Sequence, residues 1–174
     1  MSRGKSEKTV AFAMSSVAAT LAKFSMDVCL YMSQNFDFIS LPAHLTTGSS
    51  IKTKKKNPDV FELIRGKCNK IQALPYEITL ITNNLPSGYH REFQLLKEGL
   101  FPAIQNLKAC LDIAIFSIKD IKVKDNILAD PKYNYLFTVD TLNEMVVAGM
   151  PFRDAYKAVA EQLENGTYES PKAT

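Results

Sequence analysis

The sequence predicts an all-α protein, with a bundle of long helices in residues 1–121 and a small helical domain in residues 122–174. Apolar residues recur at steps of three and four over three long stretches, which is the spacing of one helix face. Turn-forming residues separate these stretches, and no convincing strand lies between them. Hydrophobic residues make up 46% of the 174 and charged residues 22%, as in a folded globular protein.

The first predicted helix carries two apolar stripes. Large residues form one seam, and small residues form a second stripe beside it. The seam consists of Val10, Met14, Val17, Leu21, Phe24, Val28 and Tyr31, and the stripe of Ala11, Ala18, Ala22 and Cys29. Two stripes indicate burial on two sides, and small side chains allow a neighbouring helix to approach closely.

Two more long helices are predicted after a segment rich in turn formers, residues 35–58. One begins near Pro58 and runs to about residue 81, with a kink expected at Pro75. The next covers about 93–121, with a bend at Pro102. Three such helices cannot cover each other's apolar faces completely, so the sequence also predicts association with further copies.

Composition and charge argue against several classes of function. The net charge of +3 is too small to indicate nucleic-acid binding, and basic residues do not follow one helix face as a basic DNA- or RNA-binding bundle would require. The three cysteines form no C-x-x-C pair, so neither a zinc site nor a disulfide framework is predicted. We expect a reducing, cytoplasmic setting. No uninterrupted apolar run approaches the roughly 18 residues of a membrane span, and no membrane or cofactor is expected.

The most informative stretch is a loop, about residues 43–58. It contains Thr47-Gly48-Ser49-Ser50-Ile51-Lys52-Thr53-Lys54-Lys55-Lys56-Asn57-Pro58-Asp59. Taken alone, Gly-Ser-Ser is usually a turn and the lysine run a solvated loop. The run lacks the glycine spacing of a Walker loop, and no Gly-x-Ser-x-Gly nucleophile elbow occurs in the chain. His44 and His90 are the only histidines, and each suits a loop or surface position better than catalysis.

This loop resembles the signature of the fumarase/aspartase superfamily, Gly-Ser-Ser-x-Met-Pro-x-Lys-x-Asn-Pro. Its ending, Lys55-Lys56-Asn57-Pro58-Asp59, is similar to the version found in argininosuccinate lyases. Segments 60–67, 89–98 and 149–155 resemble the same family, in the same order. Where the family has Met-Pro-Gln, this chain has Lys52-Thr53-Lys54, which replaces apolar or rigid residues by flexible and charged ones.

The resemblance implies cleavage of argininosuccinate to arginine and fumarate by β-elimination, a step of arginine biosynthesis that needs no metal or cofactor. It implies Ser49 as the base that removes a proton beside a carboxylate, with Lys55 facing the charge that develops. A serine is a poor base in water, so it needs a dry, preorganised site around a mobile loop. The implied substrate-binding residues are Asn57, Tyr89, Gln94 and Lys97.

The family also implies a homotetramer in which three subunits build each active site. By this resemblance, 1–121 corresponds to the C-terminal portion of the central helical domain, and two upstream active-site segments are not in the chain. We therefore expect a fragment that is inactive alone. Two other functions stay open, a non-catalytic helical assembly module and another fumarate-releasing lyase such as an adenylosuccinate lyase.

Overall fold

The computed structural model describes residues 4–48 and 56–169. The chain divides into two compact units, Met1–Lys124 and Asp125–Thr174. Helices dominate both units, which confirms the predicted all-α class. Within the described ranges the strands are two-residue pairs, which the sequence analysis did not predict.

Among its described residues, the first unit contains four α-helices, two short antiparallel pairs and two 3-10 turns. The helices are α1 (Lys5–Tyr31), α2 (Asp59–Gln72), α3 (Leu74–Ile81) and α4 (Leu96–Ile118). The pairs are β1 (Ile39–Ser40) with β4 (Lys122–Val123), and β2 (Thr47–Gly48) with β3 (Lys56–Asn57). The 3-10 turns are Ala43–Leu45 and Arg91–Gln94.

α1 buries its small-residue stripe more completely than the predicted seam. Ala11 and Ala18 are fully buried, whereas Val10 and Val17 of the seam are exposed. Within one chain, Val10 and Val17 therefore lie outside the core. α1 packs most extensively on α2, and small side chains such as alanine allow two helix backbones to approach closely.

The helices of this unit have defined directions. Near the C-terminal end of α1, Phe24 meets Phe61 of α2 edge to face, with ring centroids 5.9 Å apart. At the other end of α1, Gly4 lies against Thr82, which follows α3, and Phe93, which precedes α4. α2 and α3 therefore run antiparallel to α1, and α4 runs parallel to it.

The second predicted helix is divided into α2 and α3 at Ala73. Pro75 occupies the second position of α3, where its missing N–H costs no helical hydrogen bond. The predicted kink is therefore a break between two helices. Pro102, by contrast, lies inside α4, as predicted.

Two buried cysteines meet between α2 and α4. Cys68 and Cys110 are almost inaccessible to solvent and form part of the main core. Burial raises the pKa of the Cys68 thiol to about 12, and the adjacent Cys110 adds to the effect. Both thiols are free, and they act as small core side chains.

Two segments, Lys5–Tyr31 and Arg91–Ile118, are long and apolar enough to cross a membrane by length and composition. A core helix of a soluble protein passes the same test, so this finding is weak support for a membrane span. Their most apolar windows are 28% buried within one chain, which leaves much apolar surface on α1 and α4 uncovered.

The second unit is a small helical hairpin with its own core. It contains 3-10 turns at Ile127–Ala129 and Pro131–Phe137, followed by α5 (Thr138–Val147) and α6 (Phe152–Glu164). Leu142, Ala155 and Val159 form its core. Gly149 has φ 101°, a left-handed conformation that suits glycine, and it turns the chain between α5 and α6.

We predict opposite effects of alanine at two glycines of the first unit. Gly4 has φ +83°, and a Cβ there would lie 2.9 Å from Cε1 of Phe93. Gly4→Ala should therefore lower the free energy of unfolding by at least about 1–2 kcal/mol, the cost of a left-handed residue with a side chain. The measurement is urea unfolding at one fixed protein concentration.

Gly66→Ala is the matched control. Gly66 lies in the middle of α2, with open space where the alanine Cβ would lie, so alanine should raise the free energy of unfolding by about 0.5–1 kcal/mol. Equal effects of the two substitutions would contradict the packing described for Gly4.

Candidate active site

The predicted site residues Ser49 and Lys55 lie outside the described residues, in the gap from 49 to 55. The two sides of this gap are described. β2 and β3 pair antiparallel with Thr47 opposite Asn57 and Gly48 opposite Lys56. Asn57 is half-buried in β3, and α2 begins two residues after it. The structure therefore brings both ends of the predicted catalytic loop together at Asn57.

The other three predicted residues lie together at the start of α4. The side-chain amide of Gln94 donates a hydrogen bond of 3.0 Å to the hydroxyl of Tyr89. Both side chains are exposed, and Lys97 is exposed in the first turn of α4. The 3-10 turn Arg91–Gln94 creates this grouping, because it brings Gln94 back toward Tyr89 before α4 begins.

Tyr89 also lines an open groove of about 1080 Å³. One wall is the beginning of α1, including Lys5 and Lys8, and the other is the turn from Leu85 to Tyr89. Two ammonium groups and a helix N-terminus favour an anionic group in such a groove. Part of this potential is already used, because the N–H of Gly4 donates to the Glu7 carboxylate at 2.7 Å.

Asn57 and the Tyr89 group lie at opposite ends of the bundle. Asn57 precedes Phe61, which packs on Phe24, whereas Tyr89 shares its groove with Gly4. The α1 backbone from Gly4 to Phe24 rises by about 1.5 Å per residue, so the two groups are separated by on the order of 30 Å. A small substrate cannot contact both groups in one chain.

Both histidines have local partners. Nε2 of His90 lies 2.9 Å from the carbonyl oxygen of Pro86, and Nε2 of His44 lies 3.6 Å from the Asp120 carboxylate. Within residues 4–48 and 56–169, no group of three or more His, Cys, Asp or Glu side chains could hold a metal ion.

The sequence analysis missed four residues around these two groups. Lys5 and Lys8 line the groove beside Tyr89. Their spacing of three at the start of a helix could have indicated that they lie close together. The hydroxyl of Thr47 donates to the carboxylate of Asp59, the first residue of α2. No sequence pattern indicates this contact, because its two residues are twelve positions apart.

Comparisons with known proteins agree with the resemblance of the loop. The sequence model of a family described as "Lyase" matches residues 8–73. A protein of Parabacteroides distasonis named argininosuccinate lyase is 55% identical over 99% of this chain and 39% of its own length. Another of the same name from Bacteroides thetaiotaomicron is 51% identical over 99% of this chain and 39% of its own length.

Solved structures show the same fold. A class II fumarase from Schistosoma mansoni superposes with a TM-score of 0.75 at 19% identity, over 93% of this chain and 34% of that one. A fumarate lyase:delta crystallin from Brucella melitensis bound to cobalt gives 0.69 at 19% identity, over 92% of this chain and 35% of that one.

The chain spans about two fifths of the length of the curated relatives it matches. Along nearly all of its own length it is more than half identical to them, and it has their helical architecture. Along nearly all of its length the chain therefore matches one part of the argininosuccinate lyases, and residues 8–73 match the "Lyase" family model.

Proposed function

We propose that this chain supplies part of the active site of an argininosuccinate lyase, an enzyme of arginine biosynthesis. The observation that carries the proposal is the 55% identity over 99% of the chain to a relative of that name. The loop ending Lys55-Lys56-Asn57-Pro58-Asp59 supports the same choice over adenylosuccinate lyase. The free thiols of Cys29, Cys68 and Cys110 support a reducing compartment, and we place the reaction in the cytoplasm.

In the proposed reaction, Ser49 removes a proton from the carbon beside a carboxylate of argininosuccinate. The electron pair of the broken C–H bond forms the C=C bond of fumarate, and the C–N bond to the guanidino group breaks. The leaving nitrogen takes up a proton, which completes arginine. Lys55 stabilises the carboxylate that gains negative charge while the proton leaves.

The separation of Asn57 from Tyr89 supports a site shared between copies. Because on the order of 30 Å of α1 lies between the two groups, each can serve a substrate only with residues of another chain. We therefore propose that Asn57 and the loop of one copy face the Tyr89, Gln94 and Lys97 group of another. The proposed assembly is the homotetramer of the family.

The uncovered faces of the long helices support association. Large apolar side chains are exposed along both α1 and α4 of the single chain. On α1 they include Val10, Phe12, Val17 and Met26, and on α4 Phe101, Ile113, Ile115 and Phe116. Large apolar side chains left exposed along two long helices are typical of subunit interfaces, and burial in a bundle of copies removes them from water.

A non-catalytic assembly module is the second candidate function. Lys52-Thr53-Lys54, in place of the Met-Pro-Gln of the family, is the observation that favours it, because the change falls beside the proposed base. Such a protein would keep the fold and the association but release no fumarate. A measurement of turnover distinguishes the two functions.

The first prediction concerns turnover. A chimaera in which this chain replaces the matching segment of the Parabacteroides distasonis relative should release fumarate, measured by ultraviolet absorbance, whereas the 174 residues alone should not. In the chimaera, Ser49→Ala and Lys55→Ala should lower kcat by about 10²–10⁴-fold, the usual contribution of general-base catalysis. Tyr89→Phe and Gln94→Ala should mainly raise KM, because each should weaken substrate binding by about 0.5–1.5 kcal/mol.

An assembled chimaera that binds argininosuccinate without turnover would favour the non-catalytic module instead. Circular dichroism of each variant checks that the fold is retained. Near-normal kcat in Ser49→Ala would show that the assignment of the base is wrong.

The second prediction tests the shared site. Chimaeras carrying Asn57→Ala and Gln94→Ala should each be impaired, but hybrid oligomers formed by co-expression should recover part of the activity. The recovery is expected because some sites then combine an unchanged Asn57 with an unchanged Gln94 from another copy. Tagging the two chains differently isolates the hybrids. Activity equal to the mean of the two parents would mean that both residues act within one chain.

The third prediction concerns association of the 174-residue chain. Light scattering at micromolar concentration should give a mass above that of a monomer, because the faces of α1 and α4 are apolar. Phe116→Lys should lower this mass. Val147→Lys, a change at an exposed position of α5 in the second unit, is the matched control and should leave it unchanged. A cooperative, well-folded monomer would contradict the proposed interface.

A further inference from the structure

Thr47 and Asp59 connect the two sides of the predicted catalytic loop. Thr47 lies in β2 directly opposite Asn57 of β3. Its hydroxyl donates a hydrogen bond to Oδ2 of Asp59, the first residue of α2. The hydrogen bond thus connects β2, which precedes Ser49, to α2, which follows Asn57. Thr47 is therefore connected to the segment around Asn57 in two ways. One is its pairing with Asn57 in the strand pair, and the other is its hydrogen bond to Asp59, two residues after Asn57.

Both ends of this contact are attached to the core. Leu45, two residues before Thr47, is 6% exposed, and Phe61, two residues after Asp59, is fully buried. The carbonyl oxygen of Pro58 accepts hydrogen bonds from the N–H groups of Phe61 at 2.9 Å and Glu62 at 3.1 Å, which extends the helix up to Asp59. The hydrogen bond therefore joins two anchored segments.

The strand pair alone is a weak restraint. β2 and β3 pair over two residues each, and isolated two-stranded pairs are marginal in water even when they are longer. A hydrogen bond to a charged carboxylate is shorter and stronger than one between neutral groups. The Thr47–Asp59 hydrogen bond adds a second connection across the segment that contains Asn57.

We propose that Thr47 and Asp59 are positioning residues that hold Asn57 in its substrate-binding place, an inference that rests on the proposed lyase function. Neither residue needs to touch the substrate. Their effect is to maintain the register in which Thr47 faces Asn57, so that the Asn57 amide is presented in one orientation. A displacement of about 1 Å in such a group is enough to weaken a bound geometry substantially.

The kinetic test uses Thr47→Val in the same chimaera. Valine keeps the β-branched shape and loses the hydroxyl, so KM should rise about tenfold while kcat changes little, in keeping with the loss of a hydrogen bond to a charged group. Thr47→Ser keeps the donor and should restore a KM close to that of the unchanged chimaera. A general loss of stability would lower the active fraction and leave KM unchanged.

Thr46→Val is the matched control. The hydroxyl of Thr46 donates to the carbonyl oxygens of Pro42 and Ala43, at 3.4 and 3.3 Å. Both acceptors precede Thr46 by only a few residues, so these hydrogen bonds do not connect β2 to α2. Removal of this hydroxyl should leave KM unchanged. A double-mutant cycle adds a further test, since Thr47→Val should have little effect once Asn57→Ala is present if Thr47 acts through Asn57.

A second measurement needs no turnover. Hydrogen–deuterium exchange of the 174-residue chain, read on peptides that cover residues 46–48 and 56–61, should become about tenfold faster in Thr47→Val. It should be unchanged in Thr46→Val and close to the original rate in Thr47→Ser. Unchanged exchange in Thr47→Val would overturn the proposed restraint whether or not the chimaera is active.

The outcomes separate this inference from the proposed function. An unchanged chimaera that releases no fumarate overturns the lyase function and, with it, the role in substrate binding. An active chimaera whose Thr47→Val variant has the original KM overturns the positioning role alone. Additive effects of Thr47→Val and Asn57→Ala would also overturn it, because Thr47 would then act independently of Asn57.

Discussion

The close contact between α1 and α2 is the interaction on which the rest of the first unit depends. Alanines at positions 11, 18 and 22 of α1 are buried in the core that α1 shares with α2, and Phe24 packs edge to face on Phe61. This contact sets the direction and register of α2, and with it the point where the chain enters the helix from the catalytic loop. Larger side chains in place of these alanines would separate the two helices and disturb that entry point.

The antiparallel course of α2 and α3 along α1 has a direct functional consequence. It carries the chain from Asn57 at one end of α1 to Tyr89 at the other, on the order of 30 Å away. The proposed catalytic apparatus, distributed in this way, can work only if copies associate, each contributing one end. The same helices that hold the chain together therefore make association a requirement of the proposed reaction.

The exposed apolar side chains on α1 and α4 are consistent with this requirement. Helix length and composition alone make Lys5–Tyr31 resemble a membrane span, because a helix buried between copies and a helix buried in lipid have similar composition. The proposed association would bury these faces between copies. In the proposed assembly, the long helices pack into the core of one chain on one face and against neighbouring copies on another.

The sequence by itself determined the fold class, the family and the candidate residues, since helical periodicity and the loop motif are local patterns. It also indicated the small-residue stripe on α1, although it did not show that this stripe is buried while Val10 and Val17 are exposed. That outcome depends on which neighbour packs on which face. Tertiary structure alone decided that Asn57 and Tyr89 lie at opposite ends of the bundle, and that Thr47 reaches Asp59. Contacts between residues distant in sequence depend on how the backbone folds in three dimensions, and local sequence patterns do not determine that.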